Sequence, residues 1–158
     1  MTDTIEIYVD LAGETHLIGR CRYVAKRRGQ SSVFEYADEW LANPHAFALD
    51  PANLPLNGGQ IYTTSDKSAL PGALRDTAPD RWGQQLIKRA FRKAGEDRTL
   101  SEIDYLLAIT DQTRIGALRY KRDNEDSFDH DIGHYRVPPL IQLPALINAA
   151  DAVQSNTE

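Results

Sequence analysis

The sequence predicts an α+β fold: an antiparallel β-meander sheet packed with several helices, and one further helix near the C-terminal end. Three observations carry that prediction. Apolar residues alternate with period two through the first 36 residues. They recur at the helical period between about residues 80 and 109. The chain has 158 residues, 41% of them hydrophobic, enough for one core without a disulfide or a structural metal.

The strands come first. In IEIYVDL, Ile5, Ile7, Val9 and Leu11 alternate with Glu6, Tyr8 and Asp10, the pattern of a half-buried strand. Ala12-Gly13-Glu14 supplies a turn. In THLIGRCRYVAK, Leu17, Gly19, Cys21 and Tyr23 share one face, and Arg20 and Arg22 the other. After Arg27-Arg28-Gly29, the segment SSVFEY is again rich in β-formers. Short turns between three such runs predict an antiparallel meander.

The middle of the chain is mixed. Asp38-Glu39-Trp40-Leu41 reads as a helical turn or two, stopped by Asn43-Pro44. FALDPANLPL holds two prolines and reads as an edge segment or loop. Asn57-Gly58-Gly59 is a turn, with a short strand, QIYTT, after it.

A long helix opens near Pro79-Asp80, where proline suits the first turn and the Asp80 carboxylate can accept from free backbone N–H groups. Trp82, Leu86, Ile87, Ala90, Phe91 and Ala94 form its apolar side, and Gly95 stops it. Ser101-Glu102-Ile103-Asp104 has the spacing of a capping box ahead of a second helix. Gly116-Ala117-Leu118-Arg119-Tyr120 reads as a returning strand. The expected division is a domain over 1–122, a polar loop over 123–137 and a helix within 138–158.

Composition excludes several classes. The net charge is −5, which argues against a bulk nucleic-acid binder. Cys21 is the lone cysteine, so an internal disulfide framework is impossible and a reducing compartment is expected. The N-terminus lacks the basic start and apolar run of a signal peptide, and no stretch approaches a membrane span. These features predict a soluble, cytoplasmic protein.

Candidate chemistry is sparse. His130-Asp131-Ile132-Gly133-His134 has zincin-like spacing, but Gly133 and the surrounding acids favour solvated loop histidines. Arg81, Lys88, Arg89 and Arg92 lie opposite the apolar stripe of their helix and could contact phosphates; a solvated face would look the same. No nucleophile elbow, P-loop or dinucleotide fingerprint occurs, and Cys21 sits mid-strand as a buried, inert thiol.

One set of segments is more specific. FEYADEWLANPHAFALDPANLPL, then ALRDTAPDRWGQQLIKR, then LSEIDYLLAITDQTRIGALRY resembles the N-terminal domain of HipA-family toxins, serine/threonine kinases of toxin–antitoxin systems. The motif positions are Leu54-Pro55-Leu56, then Asp76, Pro79, Asp80, Trp82 and Gly83, then Arg114, Gly116, Ala117, Leu118 and Arg119. Their expected roles are mainly structural. Pro79, Asp80 and Trp82 would open a helix and anchor it in the core, Gly83 would permit close packing, and Gly116-Ala117 would let the backbone pass near its neighbours.

The resemblance implies a non-catalytic domain that packs on a kinase core and helps bind a HipB-like antitoxin. ATP, magnesium and the catalytic aspartate belong to the kinase core, so no cofactor, metal or catalytic residue is expected in these 158 residues. The segment 138–158 resembles the connector to that core, which makes the chain a fragment of a larger kinase. The intact protein would arrest growth by phosphorylating a translation component such as an aminoacyl-tRNA synthetase. DNA would be reached only through the antitoxin, and no membrane is involved. Two alternatives stand beside this: a stand-alone antitoxin subunit of a split system that inhibits a separate kinase, and a small nucleic-acid-binding module on the 81–93 helix.

Overall fold

A computed structural model describes residues 2–25, 29–65, 68–109 and 116–128. The alternating segments pair as strands: β1 (Thr2–Leu11), β2 (Glu14–Ala25) and β3 (Gln30–Tyr36) form the expected meander. The β1–β2 turn has two central residues at positive φ, Ala12 at 50° and Gly13 at 88°, the hand that matches strand twist. QIYTT lies within β4 (Gln60–Ser65), which pairs with β3, and β5 (Leu118–Arg122) returns beside β1. The five-stranded antiparallel sheet therefore runs β4-β3-β2-β1-β5.

Register builds the core in rows. Ile5, Cys21, Phe34 and Ile61 lie side by side across four strands, and Tyr120, Ile7, Gly19 and Tyr36 form the next row. Gly19 is required there. A Cβ on it would collide with the Glu35 carbonyl oxygen and lie 3.0 Å from both the Phe34 ring and the Tyr36 backbone. Burial pushes the Cys21 thiol up to about 12, in keeping with an inert side chain.

Strict alternation misplaces one position. Ile7 pairs with Gly19 but Tyr8 pairs with Leu17, so Ile18 is an extra residue bulged into β2. Ile18 is fully buried and its carbonyl accepts from the Ala37 N–H at 2.8 Å, whereas Leu17 is only half-buried. The polar face of β1 departs from the pattern too. Glu6 is buried on it, bound by the Tyr8 hydroxyl at 2.7 Å and by Arg20 at 2.9 and 3.1 Å, with Lys121 at 3.4 Å. Burial would raise the Glu6 carboxyl, but these partners outweigh it and hold the group below its usual value.

Helices cover the other face. The single turn α1 (Asp38–Leu41) sinks Trp40 against the sheet, and its indole N–H donates to the Phe47 carbonyl at 3.2 Å. FALDPANLPL is irregular, as expected. The single turn α2 (Gly72–Arg75) contributes Leu74 to the main core. Next come α3 (Arg81–Lys93) and α4 (Glu102–Leu107). Asp80 caps α3 by accepting from the Gly83 N–H at 2.8 Å, so Pro79 lies just outside the helix instead of in its first turn. At the other end Gly95 adopts φ 82°, and the Glu96 N–H reaches back to the Phe91 carbonyl at 2.9 Å.

Arg114, His130, His134 and the segment 138–158 lie outside the described residues. Residues 123–128 carry no helix or strand, and Phe128 packs on Tyr8 and Arg119 of the open sheet face. No helix among the described residues is long and apolar enough to cross a membrane.

Overpacking is the expected outcome of Gly19→Ala, costing about 1–3 kcal/mol of stability in urea denaturation. Gly58→Ala, whose Cβ would meet only Leu41 at 3.9 Å, is the control. Equal midpoints for the two variants would show that the close approach at Gly19 carries no energy.

Candidate functional site

The motif positions fall in three places. Leu54 is fully buried, its carbonyl accepting from the Tyr36 hydroxyl at 2.7 Å, while Pro55 and Leu56 are exposed. An aspartate turn shapes this loop: Asp50 accepts from the Ala52 and Asn53 backbone at 3.0 and 3.2 Å. The same Tyr36 oxygen accepts from the Leu49 N–H at 3.0 Å. Tyrosine 36 is thus the pin of the loop, a role that alternation in SSVFEY does not signal.

The second group spans the α2–α3 junction. Asp76 ends α2 with an exposed side chain. A Cβ on Gly83 would sit 2.9 Å from that of Pro79, so the missing side chain lets the first turn of α3 close over the proline. Trp82 corrects the expectation of a core anchor. It is 43% exposed, because burial on α3 centres a turn further on, at Ile87, Ala90 and Phe91. Helical period alone placed the indole at the edge of the apolar arc, and the partner element that would cover it is not there among the described residues.

The third group begins β5. Gly116 needs its glycine for a φ of 108°; a Cβ there would meet nothing within 4 Å, so close passage is not the reason. Ala117 accepts from the Asp10 N–H at 3.1 Å, Leu118 is half-buried, and Arg119 pairs with Asp10 at 3.3 Å and stacks on Phe128 at 4.0 Å. The second and third groups meet through Thr77, whose hydroxyl shares a 2.7 Å hydrogen bond with that of Tyr120. Among the described residues no hydrogen bond or ion pair joins the side chain of one motif group to that of another. Among the described residues no group of three His, Cys, Asp or Glu side chains could hold a metal ion.

The surface of α3 is the remaining candidate. Arg81, Lys88, Arg89 and Arg92 are all exposed along it. The helix attaches to the rest mainly through a small cluster in which Ile87 and Phe91 meet Ala108, Leu100 and Tyr105. Its outer side is left exposed.

A family model described as the HipA N-terminal domain matches residues 14–121, well over half of the chain. The chain belongs to the HipA N-terminal domain family. A comparison with curated proteins finds no match. The matched segment of this HipA N-terminal domain begins with the first residue of β2 and ends inside β5, the two strands that flank β1.

Within the HipA N-terminal domain one charged cluster is built into the interior. Asp104, with its side chain 1% exposed, accepts from the two terminal guanidinium nitrogens of Arg98 at 2.7 and 2.9 Å and from Arg122 at 3.3 Å. It also closes the expected capping box of α4, accepting from the Ser101 N–H and hydroxyl at 2.8 Å each. Burial would raise this carboxyl, but Arg98 and Ser101 outweigh it and hold it at about 2. Capping spacing made Asp104 visible in the sequence; its arginine partners, six and eighteen residues on either side, were not.

The folded value of Asp104 lies below that of an unfolded aspartate, so its stabilisation is complete above about pH 4 and is lost as pH falls toward 2. Wild-type protein is therefore expected to lose about 2–3 kcal/mol through this group on acidification over that range. Asp104→Asn should lower stability at pH 7 by a similar amount and flatten the acid limb of a stability–pH curve. Parallel acid limbs for the two proteins would rule the linkage out.

Proposed function

We propose that this HipA N-terminal domain is a non-catalytic docking module. It packs on a serine/threonine kinase core, in the same chain or a separate one, and adds surface for a HipB-like antitoxin. In this reading ATP and magnesium belong to the kinase core, and the complete assembly works in the cytoplasm to arrest growth by phosphorylating a translation component.

Trp82 is the observation that carries the reading. It occupies a motif position, yet 43% of it is open to solvent, with half-buried Leu86 one turn further along the same flank of α3. An indole is a large apolar group, and aromatic anchors of this kind dominate the energetics of protein interfaces. A tryptophan that does not serve its own core is economically explained by a partner that covers it.

Two measurements test the proposal. Trp82→Ala is expected to weaken binding to the kinase core or to the antitoxin at least tenfold, which is about 1.4 kcal/mol. Its thermal midpoint should fall only slightly, since Trp82 belongs to neither buried apolar cluster. Undiminished binding to both partners overturns the docking role. In a kinase assay the 158-residue chain by itself is expected to transfer no phosphate, and autophosphorylation would defeat the non-catalytic assignment.

A further inference from the structure

We infer that the outer face of α3 binds the phosphate backbone of duplex DNA directly. Arg81, Lys88, Arg89 and Arg92 share an arc of roughly 100° on this helix, on the side away from Ile87 and Phe91. All four are exposed, and none has a carboxylate within ion-pair distance among the described residues. Several cations elsewhere are committed, Arg20 and Lys121 to Glu6, Arg119 to Asp10, and Arg98 and Arg122 to Asp104, while the exposed Arg22 and Arg75 stand singly on other elements instead of forming a row. Lys88 makes only a distant approach to the Tyr105 ring, 6.0 Å from its centroid. Helix α3 contains no acidic residue, in a chain whose net charge is −5.

The character of the arc selects the partner. Its fifth member is Gln85, and it holds no apolar side chain; Trp82 and Leu86 lie on the neighbouring flank. Protein interfaces are depleted of charge at their centres and enriched in aromatic anchors, so a face of this composition suits a polyanion better than an acidic protein. Three of its four cations are arginines, whose planar fork matches phosphate oxygens. From Arg81 to Arg92 the row rises about 16 Å. One small phosphate could meet only part of that length, whereas a duplex presents a charge about every 1.7 Å along its axis. Stacking aromatics are absent from the arc, which favours duplex over single strand. The nearest carboxylates, Asp80 at the N-cap and Glu96 and Asp97 in the cleft shared with Lys88 and Arg92, make no ion pair with the arc, and charges more than a Debye length away, about 10 Å in 0.1 M salt, are screened.

The test uses the full chain and a fluorescein-labelled 20-base-pair duplex of mixed sequence, titrated between 50 and 200 mM salt, where four phosphate contacts predict a slope of log K against log salt of about −3 to −4. Arg89→Gln should reduce the slope by about 1. Replacing Arg81, Lys88, Arg89 and Arg92 together by glutamine should abolish binding, with the thermal midpoint unchanged. Trp82→Ala should leave the slope alone, which separates this surface from the protein-docking flank. Absence of duplex binding at 50 mM salt overturns the inference, as does a slope that the quadruple variant preserves. Displacement by polyglutamate at equal charge concentration, or tighter binding of poly(dT) than of duplex, would equally defeat it.

Discussion

The carboxylate of Asp104 joins three parts of the chain through one buried charge. As the third residue of α4 it closes that helix's capping box; as an acceptor it holds Arg98 from the α3–α4 connection and Arg122 from β5. Helix α3 reaches the sheet largely through α4, since its cluster of Ile87 and Phe91 packs on Leu100, Tyr105 and Ala108. The direction in which α3 presents its outer side therefore depends on a buried charge with two arginine partners. Removing one member of such a group leaves the others uncompensated, which makes the arrangement costly to break.

The sheet is the platform on which this is mounted. β1 lies between β2 and β5 and pairs with both; its Ile5 ends one apolar row and its Ile7 lies within the other. The shared hydrogen bond of Thr77 and Tyr120 then ties the α2–α3 junction to β5. The motif blocks are thus placed by packing against a common sheet, and what they have in common is support of the fold. Leu54 and Gly83 act on the backbone around them, whereas Leu56 and Trp82 turn large apolar groups outward.

Charge is used in two ways in this domain. Inside, Glu6 and Asp104 are buried and matched by arginine, lysine and hydrogen-bond donors, so their charges are consumed in holding strands and helices together. On α3, four cations remain exposed without carboxylate partners among the described residues. A protein-docking flank with Trp82 and a phosphate-binding arc side by side on one helix would let the domain hold a partner protein and a duplex at once.

Much of the architecture was legible because it rests on local rules. Period-two alternation located β1, β2 and β3, and Asp80, Gly95 and the Ser101–Asp104 box marked helix ends through bonds made within a few residues. The cationic residues of α3 were equally legible, since helical spacing alone puts them on one side. What needed tertiary structure was every feature set by a distant partner. The bulge that buries Ile18 depends on pairing with β1 and on the N–H of Ala37. The exposure of Trp82 depends on where α4 stops covering α3, and the burial of Glu6 on side chains from three strands. Sequence by itself determined most of the described elements, their ends and the charge on α3, because these follow from spacing and nearest neighbours. Only the tertiary structure decided which apolar group is left uncovered and which charges are already neutralised, because both depend on which residues meet across the fold.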